Sequence, residues 1–248
     1  MRTINSLILL FSFLLFPNLQ ADTYTPEEGS VELKKRKKKS TTKIDPNLPF
    51  VLIIGDSISM GYTPFVKENL QGKANVIHAP GNSQGTTHGL KNLTDWLNDK
   101  KLGDKKWDVI HFNWGLHDLK HVKVAGTSEN SNDFNDPQQA DLPTYTSNMA
   151  KLVAQLKADG AKLIFATTTP YPAGVKPARA PENAAKYNDA ALKIMTENNI
   201  EVNDLYSLVL PKLNTLQKPV NVHFHKEGSK MMGLQVSQAI EKHLTNSQ

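Results

Sequence analysis

Four branched apolar residues in succession, Val51-Leu52-Ile53-Ile54, constrain this chain more than any other feature. With no polar residue alternating among them, they predict a strand covered on both faces, as in the parallel sheet of an α/β protein. Gly55-Asp56-Ser57 follow directly, residues suited to a tight turn, and the chain then takes on a pattern that can open a helix. A serine at the carboxyl end of a buried strand stands at the edge where open α/β sheets bind ligands, a good place for a nucleophile. Serine is also a frequent helix N-cap, so on this stretch alone the nucleophile and the cap stand level.

The remaining chain alternates strands and helices. Asp45-Pro46-Asn47-Leu48-Pro49 marks the entry to the domain, with two prolines before the first strand. A helix is predicted over 63–71, a strand over 75–78 and a loop over 79–85, where Gly81 and Gly85 stand. Next come a helix over 87–98 and a strand over 107–114 that runs into Gly115-Leu116-His117-Asp118. Residues 119–141 are polar and aperiodic and read as a long surface loop. A helix over 142–159 has Gly160 in the C-cap position. A strand over 161–167, a proline-bearing loop over 168–181, a helix over 182–199 and a short strand over 200–203 follow. A helical piece over 206–216 and a closing helix over 226–244 complete the order. This alternation predicts one doubly wound α/β domain over 48–248, with a parallel sheet of about five strands. The segments 55–57, 81–85 and 115–118 all follow strands and should gather at one edge of that sheet.

The two ends of the charge distribution exclude other classes. The chain has 248 residues and a formal net charge of +5. Arg2 and the apolar run Leu7–Phe16, too short to span a bilayer, predict a leader over 1–21 cleaved near Ala21 and an exported protein. Residues 22–43 carry seven basic residues against Asp22, Glu27, Glu28 and Glu32, which leaves only +1 for residues 44–248. The basicity therefore sits in a tail over 22–47, predicted to be disordered, whose run 34–39 could contact an anionic polymer or a membrane surface. A near-neutral domain behind an export pattern does not suit nucleic acid. The chain has no cysteine, so thiolate chemistry and disulfides are absent. Its oligomeric state has no signature in the sequence.

A serine nucleophile needs a base and donors for the developing oxyanion. Of the eight histidines, His111 alternates with apolar neighbours and reads as a hydrogen-bonded core residue, while His78 and His243 carry no signal. His223, just before the last helix, lies on a loop that can return beside the first strand and is the best-placed base. The pairs His117/His121 and His223/His225 could hold a metal, but neither has a convincing third ligand, so neither metal nor cofactor is expected.

Gly55-Asp56-Ser57, Gly81 after the second strand, Gly115-x-x-Asp118 after the third, and Val222-His223-Phe224 followed by Glu227-Gly228 together resemble the SGNH (GDSL-type) hydrolases. The resemblance covers roughly residues 50–245. It implies a three-layer flavodoxin-like fold and ester hydrolysis by acyl transfer through a serine. Carried onto this sequence, it makes Ser57 the nucleophile, His223 the general base, and the Ser57 and Gly81 N–H groups two oxyanion donors, with Asp56, Gly115 and Asp118 in support.

Two positions depart from the family pattern. His117 stands where an asparagine side chain usually donates to the oxyanion, and a neutral imidazole can still donate one N–H. Val220 stands three residues before His223, where an aspartate usually orients the histidine. A backbone carbonyl is the favoured substitute, with the Asn221 side chain and Asp204 as alternatives. The resemblance permits carbohydrate O-acetyl groups, lysophospholipids or other lipids, and other small esters. The polar loops 119–141 and 168–181, with Tyr171, Lys176 and Arg179, favour a carbohydrate O-acetyl ester. A carbohydrate-binding relative without activity is the reading from another class, motivated by Val220 and His117.

Overall fold

The computed structural model describes residues 44–99 and 102–244. The expected leader and residues 22–43 of the tail, with the 34–39 run, lie outside the described residues. Five parallel strands form one sheet: β1 (Phe50–Ile54), β2 (Asn75–His78), β3 (Val109–Phe112), β4 (Lys162–Ala166) and β5 (Glu201–Asn203), in the order β2-β1-β3-β4-β5. Every residue of β1 is buried, which is why its sequence shows no alternation. One helical layer contains α1 (Ser57–Asn69) and α7 (Lys226–Leu244) packed together, with α5 (Leu205–Val209) against α7. In the other, α2 (Thr86–Leu97) packs on α3 (Leu142–Asp159), which packs on α4 (Asn183–Glu197). The three-layer α/β architecture expected from the sequence is the one observed.

This strand order reverses direction between β1 and β3, since β2 lies on one side of β1 and β3 on the other. Loops leaving the carboxyl ends of those two strands part there and open a crevice. Ser57 follows β1 and Gly115–Asp118 follow β3, so the topology itself brings the two segments together.

Three elements differ from expectation. Helix α1 starts at Ser57, not near residue 63, because the Asp56 side chain accepts from the Ile58 N–H at 2.9 Å and caps the helix six residues earlier. Pro64 sits inside α1. The piece over 206–216 is broken: α5 gives way to a 3₁₀ turn at Leu210–Lys212 and then α6 (Leu213–Leu216). Residues 119–141 are less of a surface loop than their polarity suggests. Leu119, Val122 and Ala140 are buried, and antiparallel bridges pair His121 with Gln138 and Val122 with Asn130. The segment is also sewn to the 168–181 loop, where Ala178 accepts from the His121 N–H and donates to the Ser131 carbonyl, both at 2.9 Å.

Candidate active site

The first question is which residue caps α1. Asp56 takes the N-cap position, so the Ser57 hydroxyl is free of that duty and stands at the first turn of the helix. Its Oγ lies 2.8 Å from His223 Nε2. His223 arrives on the loop between α6 and α7, which is clamped at its base. Lys218 N–H donates to the His223 carbonyl at 2.9 Å, His225 N–H to the Leu216 carbonyl at 2.8 Å, and the Gln217 amide to the Pro170 and Val222 carbonyls.

What orients His223 is the Asn221 side chain, not the backbone carbonyl favoured from the sequence. Asn221 Oδ1 lies 2.8 Å from His223 Nδ1 and accepts from the His223 backbone N–H at 2.9 Å. A backbone N–H is always a donor, so the atom facing it is the amide oxygen. Nδ1 must then carry the ring proton, and Nε2 is left as the acceptor for the Ser57 hydroxyl. The tautomer a general base requires follows from one Asx turn. Val220, in the usual acid position, is at the loop tip with a left-handed backbone (φ +48°) and 61% of its surface exposed. Asp204 is engaged elsewhere, accepting from the Thr167 hydroxyl and the Ser207 N–H at the start of α5.

The two other blocks are fastened to this turn. Ser83 binds Gly55 reciprocally: its Oγ accepts from the Gly55 N–H at 3.2 Å and its N–H donates to the Gly55 carbonyl at 3.0 Å. The loop carrying Gly81 is thereby held beside Ser57, and among the described residues neither the Gly81 nor the Ser57 N–H has a protein acceptor. Asp118 fixes the third block to the second. Gly85 offers no side chain to cap α2, and Asp118 Oδ1 supplies the cap instead, accepting from the Thr86 N–H at 2.8 Å and the Thr86 hydroxyl at 2.5 Å. Burial drives the Asp118 carboxyl up to about 7 against those bonds, and raises that of Asp56 as well.

Gly115 has a backbone (φ +152°) that suits glycine, and a Cβ there would run into the Thr168 hydroxyl of the loop after β4. Gly115→Ala should therefore cost about 2–5 kcal/mol, overpacking and backbone strain together, and lower activity by shifting His117. Urea unfolding of the two proteins measures it; equal midpoints would contradict the tight fit.

Electrostatically the surroundings of His223 and His117 favour the neutral ring. Burial, then the charges of Lys218 and Arg179, hold His223 below the ordinary imidazole value. Burial and the neighbouring Lys120 and Arg179 push His117 down to about 3, and its Nδ1 is sealed from solvent without a partner among the described residues. Beside Ser57 and His223 lies a hollow of about 200 Å³ whose apolar walls are Ile58, Phe224 and Met232.

Compared with known families, residues 53–231 match the model of the GDSL-like lipase/acylhydrolase family, a span that holds both Ser57 and His223. The chain belongs to that family. Its fold is similar to that of a lipase/acylhydrolase from Enterococcus faecalis, at 19% identity over 79% of this chain and 96% of that one, with a TM-score of 0.63. It is also similar to the acetyl xylan esterase AlAXEase, at 16% identity over 77% and 99% of the two chains (TM-score 0.61). A GDSL-like lipase from Bacteroides thetaiotaomicron shares 19% identity over 78% and 88% (TM-score 0.58). No curated protein matches the chain in sequence. As a GDSL-type acylhydrolase the protein is a carboxylic ester hydrolase.

Within this GDSL-type hydrolase the other histidines have separate places. His111 is buried in β3 with Nε2 3.1 Å from the Asn203 amide, the core role expected of it. His121 Nδ1 faces the Asp136 carbonyl at 2.6 Å and its ring meets Phe134 edge-on, while His225 is exposed. His78, which carried no signal in the sequence, forms a second serine–histidine contact, its Nε2 2.7 Å from Ser59 Oγ. Ser59 is 2% exposed, so this pair does not meet substrate. It ties the end of β2 to the helix that starts at Ser57.

Proposed function

We propose that this esterase removes O-acetyl groups from carbohydrate by acyl transfer through Ser57. The observation that carries the reading is the relay from Ser57 Oγ through the His223 ring to Asn221 Oδ1, at 2.8 Å on each side. Ser57 Oγ attacks the acetyl carbonyl carbon while His223 Nε2 takes its proton. The oxyanion develops between the N–H groups of Ser57 and Gly81 and the His117 ring, whose proton belongs on Nε2 because its sealed Nδ1 has no acceptor. The imidazolium returns its proton to the sugar oxygen as the C–O bond breaks, leaving an acetyl-enzyme. Water then attacks that ester with His223 again as base, releasing acetate and restoring Ser57.

The size of the hollow beside Ser57 supports a short acyl group. At about 200 Å³ it is smaller than the roughly 300–1,000 Å³ typical of pockets for larger ligands. The likeness to an acetyl xylan esterase and the polar character of the flanking loops support the sugar half. Export, read from the leader over 1–21, would place the enzyme where glycans are met. A series of 4-nitrophenyl esters tests the acyl half: kcat/KM should fall at least about tenfold between acetate and octanoate. A preference for octanoate would overturn the reading in favour of a lipid esterase. Glycan binding without hydrolysis of any ester would favour the inactive carbohydrate-binding relative.

A further inference from the structure

One charged group near the reaction centre has no task in this mechanism. Arg179 lies in the loop between β4 and α4 with 5% of its surface exposed. Its Nε donates to the Leu116 carbonyl at 2.9 Å and its Nη1 to the Pro177 carbonyl at 3.1 Å. Leu116 precedes His117, so the guanidinium is held against the segment that carries the third oxyanion donor. Nη2 donates to no described residue and is not sealed in the interior. Among the described residues no carboxylate lies within ion-pair distance of it. Tyr171 and then Asp56 act on it electrostatically without an ion-pair contact, and Asp56 Oδ1 is occupied by the Ile58 N–H.

A buried guanidinium without a bonded anion is costly, and such groups concentrate where a ligand completes them. Two more cations frame the site. Lys218 lines the hollow beside Ser57, and buried Lys120, held by Asn130, acts on His117. Opposing charge is scarce: His223 is oriented by a neutral amide, and Asp56 and Asp118 are engaged as helix caps. A planar guanidinium whose Nη groups still have hydrogens to give is matched to a carboxylate, which accepts two parallel N–H bonds.

We propose that Arg179 recognises a carboxylate on the substrate, so that the glycan deacetylated is an acidic one, acetylated on or beside a uronate ring. This rests on the reading of the protein as a glycan O-acetyl esterase. A matched pair of substrates tests it: O-acetylated oligomannuronate and O-acetylated oligomannose, which differ in the carboxylate. The full-length enzyme should favour the uronate by about tenfold or more in kcat/KM, through KM. Arg179→Gln should abolish that preference by raising KM for the uronate, and Arg179→Lys should keep part of it. Equal rates on the two glycans, or a preference that survives Arg179→Gln, would overturn the proposal. So would an equal loss of kcat on both glycans and on 4-nitrophenyl acetate, which a loop clamp alone would give. If neither glycan is deacetylated while 4-nitrophenyl acetate is, the glycan reading fails and the carboxylate site is tested separately. Unacetylated oligomannuronate should then inhibit 4-nitrophenyl acetate hydrolysis more strongly than oligomannose, and less so in Arg179→Lys; equal inhibition would overturn it. That arm needs only the parent and Arg179→Lys, should Arg179→Gln fail to fold.

Discussion

Ser57→Ala is expected to lower kcat on 4-nitrophenyl acetate by on the order of 10⁴–10⁶-fold and to leave stability within ~0.5 kcal/mol of the parent. The two halves of that expectation have separate grounds. Among the described residues the hydroxyl makes one hydrogen bond, with His223 Nε2, so removing it deletes the proposed attacking atom and nothing else that holds the turn. The helix keeps its cap, because the acceptor for the Ile58 N–H belongs to Asp56. Had Ser57 been the cap, its loss would cost typically ~1 kcal/mol and spare the chemistry. Measuring kcat and the unfolding midpoint on the same two proteins therefore separates nucleophile from cap. Near-parent activity with lowered stability would reverse the assignment.

What could be read in the sequence was what local chemistry decides. The unbroken apolar run of β1, the closing helix α7 and the left-handed cap at Gly160 need only neighbouring residues, and each stands where it was expected. The burial of 119–141 needs partners far along the chain. Its polar residues are satisfied by bridges within the segment and by Ala178, neither of which has a periodic signature. Arg179 was visible as a charge in a loop, but its burial depends on carbonyls of Leu116 and Pro177. The orienting group of His223, Asn221, stands among the alternatives in the sequence but behind a backbone carbonyl, for a related reason. Counting three residues back assumes the family's turn, whereas here an Asx turn brings the residue two back against the ring. Asn-x-His before a helix is the local signal of this turn.

That turn leads to the second large effect. Asn221→Ala should lower kcat by roughly 10²–10⁴-fold with KM little changed, since it strips the Nδ1–H of its acceptor and frees the ring to take the wrong tautomer. A serine protease in which asparagine replaces the orienting aspartate loses about 10⁴ because its amide can stabilise that wrong tautomer. Here the amide cannot turn around without giving up the His223 backbone N–H, so its oxygen stays toward the ring. Asparagine supplies orientation without charge. In the proposed attack the imidazolium would therefore form without a carboxylate to stabilise it, and His223 is held below its ordinary value by burial, Lys218 and Arg179. A base must be neutral to act, so the acid limb of kcat/KM should lie below pH 6.5, the unperturbed imidazole value. Asn221→Asp adds a negative charge at Nδ1, favours the charged ring and should move that limb upward by about 1–3 pH units. Its activity at pH 8 should remain within about tenfold of the parent, since orientation is kept. If Asn221 only holds the turn, Asn221→Ala would lose stability with kcat little changed; if His223 is not the titrating base, the acid limb of Asn221→Asp would stay where it was. The pH profile of Asn221→Asp, alongside kcat of Asn221→Ala, is therefore the measurement that decides whether this amide occupies the place of the missing acid.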